Sequence, residues 1–409
     1  MSEVVIVSGC RTAIGEFGGT LRDMHAANIS SVVMRAAIQR AGIAPTSIDD
    51  VRFGCCLNPT DALNVTRIGA LMANIPESVP AVTVNRVCIS GMEAVLSGAA
   101  MIKAGAAEII LAGGVEHMSG ATFTVERARW GVRMGDAVLM DAMTTGLHCG
   151  SHILPYPQDG PVESFRGKPY IMGHTAEFVA LKYGITRQEQ DEVALRSHNN
   201  VERATLEGDF AEEIVPILVP QKKGEPEVFD KDEHFRPGLT MEALSRLSPA
   251  FMPKTGTVTA GNSSGINDGA TAVVIMSEQK AKSKGLQPLA RIKAVSMGAC
   301  DPTVMGVSPV PAVQNLLKRS GMKLSDFELI ELNEAFASQY LACERELKLN
   351  REITNVNGSG IGLGHPVGST GARIMVSLIY AMKKRNKTLG LATLCGGGGV
   401  SMACALEIV

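Results

Sequence analysis

The feature that most limits what this chain can fold into is that it repeats itself. AAIQRAGIAPTSIDDVRFGCC (36–56) reads like NLLKRSGMKLSDFELIELNEA (315–335): a helix, a glycine stop, a short link and a strand. VTVN (82–85) is echoed by TNVN (354–357), and each leads into a helical stretch and then a strand running into glycines, at 113–114 and 396–399. The order of features is kept about 270 to 285 positions further on. One such match arises readily by chance; three in register do not. A duplicated unit follows, and a site is expected where the two copies meet.

Short apolar, β-branched runs alternate with helical stretches, the mark of α/β units. The runs are VVIVSG (4–9), AVTVN (81–85), EIILAGG (108–114), TAVVIMS (271–277), ELIELN (328–333) and TLGLATLCGGGG (388–399). Ala26 to Ala41, Met92 to Ala104 and Gly371 to Lys384 read as helices. Residues 120–251 differ in texture. They are richer in charge and hold the only tryptophan, Trp130, and the irregular stretch HILPYPQDGPVESFRGKPY (152–170). An insertion is expected there, with helices over Thr175 to Tyr183 and Arg187 to Arg203. The expected organisation is an N-terminal half built from 1–119 and 252–283, an inserted loop domain over 120–251, and a C-terminal half over 284–409.

A chain of 409 residues exceeds what one hydrophobic core usually serves, which agrees with several packed units. With 39 basic against 41 acidic residues, the net charge of −2 gives no polyelectrolyte reason to bind nucleic acid or an anionic membrane. Any phosphate-bearing ligand must then be met by a local basic patch. MSEVVIVSGCRTAIG reads as a first strand and not a signal peptide, and no apolar run is long enough to span a bilayer. The nine cysteines show no CxxC spacing, so neither a zinc site nor a redox centre is expected and a reducing cytoplasm is favoured. The ending ALEIV carries no peroxisomal tripeptide.

Four places could carry chemistry. Cys88 lies between the strand AVTVN and a helix beginning near Gly91 or Met92, where unpaired N–H groups and a helix dipole would favour thiolate and could form an oxyanion hole. Taken alone, its ordinary reading is a small core cysteine. NGSGIGLGHPVGSTGARI (357–374) fits neither G-x-G-x-x-G nor a P-loop, but its glycines would let the backbone turn sharply and present His365, with Pro366 fixing the bend. Histidine suits a base to cysteine, since its pKa near 6.5 matches proton transfer at neutral pH; a structural turn residue is the plainer alternative. Cys395 ends the strand GLATLC ahead of Gly396 to Gly399 and could equally be core. Asn333, in NEAF after ELIEL, could hold a water or polarise a carbonyl, or simply cap a helix.

Together these segments resemble the thiolase family along nearly the whole chain. The motifs are TVNRVCISGMEAV around Cys88, GGVEHMS (113–119), GTVTAGNSSGINDGA (256–270), NEAFA (333–337), GLGHPVGSTGAR (362–373) and CGGGG (395–399), in the family's order. The resemblance implies a duplicated five-layer αβαβα fold with an inserted loop domain. It also implies coenzyme A-dependent, reversible cleavage and condensation of a 3-ketoacyl-CoA. Cys88 would be the nucleophile, His365 its activator and Cys395 the residue that protonates or deprotonates the thioester enolate. His365 and a water held by Asn333 would form one oxyanion hole, and the backbone N–H groups of Cys88 and Gly397 a second. Ser264 and Met172 match positions lining the pantetheine channel and Arg236 one near the nucleotide end, with Phe251 and Phe336 as further candidate substrate or CoA contacts. No metal and no permanently bound cofactor are implied, coenzyme A and acyl-CoA being substrates. A homotetramer or homodimer is expected, with MGDAVLMDAM (134–143) resembling the segment that pairs dimers.

The chain departs from many short-chain members in carrying Ile171 where they have histidine, and in a longer stretch from Leu147 to Tyr170. The expectation is a substrate larger than acetoacetyl-CoA; the alternatives are an acetoacetyl-CoA-specific enzyme and a pocket completed by an accessory subunit. Two other classes are kept: a related condensing synthase, and an acyl-CoA-binding subunit without activity of its own. Intact Cys88, His365 and Cys395 speak against the last.

Overall fold

The computed structural model describes residues 3–409. Its first half opens with β1 (Val4–Thr12), α1 (Ala26–Ala41), β2 (Asp50–Gly54), β3 (Ala81–Val84), α2 (Ser90–Lys103) and β4 (Ile109–His117). The chain then leaves for the insertion, which carries α3 (Met172–Tyr183) and α4 (Arg187–Leu206), and returns as β5 (Asn267–Ser277). The second half adds β6 (Ala290–Ala299), α5 (Pro309–Ser320), β7 (Leu329–Leu332), α6 (Ala337–Leu347), α7 (Val367–Lys384), β8 (Leu389–Gly396) and β9 (Val400–Ile408).

The repeat seen in the sequence is a repeat of topology. In one half the strands lie in the order β1-β5-β4-β2-β3, in the other β6-β9-β8-β7, with Thr354 bridging parallel to Ile330 where a fifth strand would stand. Both sets run antiparallel over the first three strands and parallel after that. β1 pairs with β6 through Val5–Arg291 and Ile6–Ala290, which joins the two sheets edge to edge. α1 and α5 stop on Gly42 and Gly321 at φ 65° and 74°, a left-handed geometry that costs a residue with a side chain about 1–2 kcal/mol. A 3-10 turn follows each, Pro45–Ser47 and Leu324–Asp326, before β2 and β7.

α2 and α7 pack together between the sheets, burying Met92, Val95, Ile374 and Ile379 against Ile275 and Leu394. α1 covers the outer face of the first sheet, and α5 and α6 cover the second, giving alternating α, β, α, β, α layers. A strand covered on both faces must be apolar on both, and all nine residues of β1 are buried accordingly. The central helices meet backbone to backbone. A Cβ on Gly371 would strike the Met92 N, and one on Gly91 would lie 2.9 Å from the Gly368 O, so both crossing positions exclude a side chain.

The insertion is tied to both halves. Arg11 of β1, fully buried, holds Glu213 at 2.6 Å and Asp232 at 2.7 Å, while Ser197 of α4 donates to Glu334 at 2.5 Å. Some boundaries differ from the sequence reading. TNVN forms the single bridge at Thr354 and no strand, because Asn355 turns to φ 51°. β8 stops at Gly396 and folds back as β9, whose SMACALE run has no β-branched signal; that hairpin was not anticipated. α7 begins at Val367, directly after Pro366, four residues earlier than expected. Among the described residues no helix is long and apolar enough to cross a membrane.

Candidate active site

Cys88 sits on the turn between β3 and α2. Val87 adopts φ 50°, and Ser90 Oγ accepts the Arg86 N–H at 2.8 Å while donating to the Val87 carbonyl at 2.6 Å, so the turn is locked from below. The backbone N–H of Gly397 and that of Cys88 itself hydrogen-bond to the sulfur and favour thiolate. Burial outweighs them. The thiol is pushed up to about 12, first by loss of solvent and then by the neighbouring Cys149. At the head of the helix, burial thus works against the thiolate that these N–H groups favour. α2 starts at Ser90, one residue before Gly91, and burial favours the neutral Cys88 thiol.

His365 is presented by the glycine-rich turn just before α7. Its N–H donates to Asn267 Oδ1 at 2.9 Å, which anchors a residue of the second half to β5 of the first. Its Nδ1 lies 2.7 Å from Thr370 Oγ1, and that hydroxyl donates its only proton to the Pro366 carbonyl at 3.0 Å. The hydroxyl must then accept from Nδ1–H, which leaves Nε2 as the free basic nitrogen. Nε2 is buried and has no partner within the chain. Burial first, and the Arg373 cation second, push the imidazole down to about 3, so it rests neutral.

Cys395, 1 % exposed at the end of β8, is also held as a thiol, with burial the leading cause and Cys88 the next. Asn333 is fully buried; its Nδ2 lies 3.5 Å from His365 Nδ1 and its Oδ1 accepts from Arg373 Nη2 at 3.4 Å. It caps no helix, since Phe336 occupies that position for α6. A Cβ on Gly397 would overlap the Cys149 sulfur and sit 3.1 Å from Met172 Sδ, so only glycine brings this N–H to Cys88.

Two cavities meet at Cys88. The larger, about 430 Å³, is lined by Arg236 and Glu16, by Ser264, Phe251 and Phe336, and by His365, Cys395 and Cys88. Arg236, 67 % exposed, stands 3.8 Å from the half-exposed Glu16 in a loose ion pair at the mouth of this cavity. Phe251 and Phe336 meet edge to face at 6.3 Å. Ser264 is fixed by its N–H to the Ala335 carbonyl at 2.9 Å. The smaller cavity, about 230 Å³, shares Cys88, Met118, Leu147, Met172 and Val367 with the first but reaches none of His365, Cys395 or Ser264. It is walled by Leu57, Met143 and Cys149, with Asn85 the one amide. Ile171 lines only the larger cavity.

Every residue singled out in the sequence falls on these two cavities or directly behind them. The sequence reading passed over Thr370, Asn267, Cys149 and Glu116. Thr370 could have been found from its place one helical turn beyond the His-Pro pair. Glu116, within GGVEHMS, accepts from the N–H groups of Cys56, Leu57 and Gly368 at 2.9, 2.9 and 2.8 Å and so clasps the two halves behind Cys88. Cys149 lies in irregular chain and gave no sequence signal.

The family model described as "Thiolase, N-terminal domain" matches residues 4–279, and "Thiolase, C-terminal domain" matches 286–408. The sequence is 47% identical over 407 residues to an acetyl-CoA acetyltransferase of Cupriavidus necator, covering 100% of both chains. It is 46% identical over 409 residues to one from Escherichia coli, covering 100% of this chain and 99% of the other. Among solved structures, the Bacillus anthracis acetyl-CoA acetyltransferase superposes with a TM-score of 0.93 at 44% identity, over 100% of this chain and 99% of the other. Human mitochondrial 3-ketoacyl-CoA thiolase in complex with CoA gives 0.92 at 38% identity, over 100% and 98%.

Proposed function

The chain belongs to the thiolase family and is an acyltransferase, and from that premise we propose that it acts through an acyl-Cys88 intermediate on 3-ketoacyl-CoA substrates larger than acetoacetyl-CoA. The observation that carries the substrate reading is the apolar 230 Å³ cavity that opens from Cys88 away from His365 and Cys395. The sulfur attacks the 3-keto carbon, so the thioester must run along the larger cavity and the acyl chain must lie on the other side. Three methionines, Met118, Met143 and Met172, give that side a wall that can reshape around chains of different length.

In cleavage, Cys88 gives its proton to His365 Nε2 as sulfur bonds to the 3-keto carbon, and the oxyanion formed is met by the N–H groups of Cys88 and Gly397. The Cα–Cβ bond then breaks with its electron pair passing to the thioester as an enolate, held by His365 and a water on Asn333. Cys395 delivers a proton to the enolate carbon, releasing the shorter thioester. Coenzyme A next gives its thiol proton to the Cys395 thiolate as its sulfur takes the acyl group, and His365 returns its proton to the departing Cys88 sulfur. Synthesis runs the same steps backwards. Both thiols start neutral, so each proton moves only when a carbonyl is in place to receive the charge. Coenzyme A is used as substrate, with Arg236 at the channel mouth placed for its nucleotide phosphates; no permanent cofactor is invoked.

The exposed apolar stretch Trp130, Met134, Val138 and Leu139 supports self-association, as a homotetramer through 134–143. All nine cysteines are unpaired, which supports a reducing, cytoplasmic setting. The test is coenzyme A-dependent cleavage of straight, branched and aromatic 3-ketoacyl-CoAs by the purified chain, beside Cys88→Ala. A kcat/KM at least several-fold higher on larger substrates than on acetoacetyl-CoA is expected. Equal or better activity on acetoacetyl-CoA would make this an acetyl-CoA acetyltransferase like its named relatives, and no cleavage of any substrate would favour a binding subunit.

A further inference from the structure

Behind the site stands a buried guanidinium that the mechanism above does not use. Arg373, on the second turn of α7, is 1 % exposed. Its Nη2 reaches Asn333 Oδ1 at 3.4 Å, its Nη1 lies 3.8 Å from Glu331 Oε2, and its Nε and Nη1 have no hydrogen-bond partner. Glu331 Oε2 is likewise unpartnered. A buried arginine is normally closed off by a bidentate carboxylate. Here the closest carboxylate oxygen stands beyond hydrogen-bond reach, and the only acceptor engaged is a candidate active-site amide.

An amide can be turned either way, and Arg373 decides which. Arginine offers donors and no acceptor, so the Asn333 oxygen must face it. The Nδ2 donor is then turned toward His365, whose Nδ1 is already committed to Thr370. With the opposite turn, Asn333 would set its NH₂ against the guanidinium and offer an acceptor to an enolate oxygen, which repels it. Burial pushes the Glu331 carboxyl up to about 8, so below that pH the guanidinium lacks a full counter-charge. Its field already reaches the site, being the second cause of the lowered basicity of His365.

We propose that Arg373 is a positioning residue for the enolate side of the reaction: it holds the Asn333 carboxamide with its donor face toward His365 and sets a buried cation behind the two groups that receive the enolate oxygen. This rests on the thiolase reading of the site, and it separates the two half-reactions. Acyl transfer onto Cys88 relies on the N–H groups of Cys88 and Gly397, which Arg373 does not touch, and on His365 as base, which Arg373 reaches only through its field. Carbon–carbon bond making and breaking relies on Asn333 and His365.

The experiment compares Arg373→Met and Arg373→Lys with the parent enzyme in two assays. One follows exchange of labelled coenzyme A into acetyl-CoA; the other follows cleavage of a 3-ketoacyl-CoA and solvent deuterium entry into the acetyl methyl group. Arg373→Met is expected to lose about 10²-fold or more in cleavage kcat and in deuterium entry, the loss typical of removing one oxyanion donor, with KM and label exchange changed less than about threefold. Arg373→Lys should recover part of the loss by restoring the charge, and Arg373→Met added to Asn333→Ala should cost little further. Equal losses in both assays, or cleavage at the parent rate, would overturn the proposal. Should Arg373→Met fail to fold, the same unequal loss in Arg373→Lys decides. A parent enzyme that exchanges no label would instead overturn the thiolase reading itself.

Discussion

Thr370 decides which nitrogen of His365 is free to act, because its hydroxyl proton is already given to the Pro366 carbonyl. Thr370→Val is expected to lower kcat by about 10-fold or more, from losing a buried hydrogen bond of about 1–3 kcal/mol, with KM little changed. Steady-state kinetics on the preferred substrate check this, and a change confined to KM would contradict it. Gly397 is constrained as tightly. Gly397→Ala drives a methyl group into Cys149 and should abolish acylation, and adding Cys149→Gly should restore a measurable part, since it removes the first atom struck. At this scale the motifs made the reacting groups legible: Cys88, His365, Cys395 and Asn333 each stand beside a glycine, a proline or a strand end that gives them away. What was not legible was their ionisation. A thiol's charge depends on how deeply neighbours from other segments bury it, and Cys149 and Glu116, which both raise the pKa of Cys88, come from distant chain.

Elements show a second division between what sequence reveals and what packing adds. α1 spans Ala26–Ala41, as its periodicity and the glycine after it indicate. β9 carried no strand signal, because small residues suffice for a strand lying between β6 and β8. Glu116, near the end of β4, links that strand to the 55–57 loop and to the start of α7. Glu116→Ala strands one buried and two partly buried N–H groups and is expected to cost about 2–4 kcal/mol of stability, measured by denaturant unfolding. An effect below about 1 kcal/mol would show that the clasp carries little. On α4, His198 is pushed down to about 4 by burial, next to His234 and Arg236. The unfolded chain takes up a proton below about 6.5 that folded His198 refuses, so this residue's contribution is lost as pH falls from about 6.5 to about 4. His198→Gln should therefore flatten the pH dependence of unfolding in that window by up to about 1.4 kcal/mol per pH unit. An unchanged slope would place the acid sensitivity elsewhere.

The whole molecule is a duplication whose copies have diverged in what they contribute. One half supplies Cys88 and the other His365, Asn333 and Cys395, so neither half has a site without its partner. That much follows from the repeat in the sequence, since equivalent turns of two copies must converge at their seam. The insertion is harder to read, because its irregular stretches are fixed by long-range contacts such as that of Arg11 with Asp232, and not by local periodicity. Its exposed Trp130, Met134 and Leu139 form the apolar surface proposed above for tetramer assembly. Met134→Asp with Leu139→Asp should shift the protein from tetramer to dimer in light scattering while leaving kcat within about twofold; an unchanged mass would place the interface elsewhere. The central claim is the covalent step. Incubation with labelled acetyl-CoA, rapid quenching and peptide mass spectrometry should find the acetyl group on Cys88 alone, lost on adding coenzyme A and absent in Cys88→Ser. Label on Cys395 or Cys149, or on no cysteine in a folded sample that cleaves substrate, would contradict it.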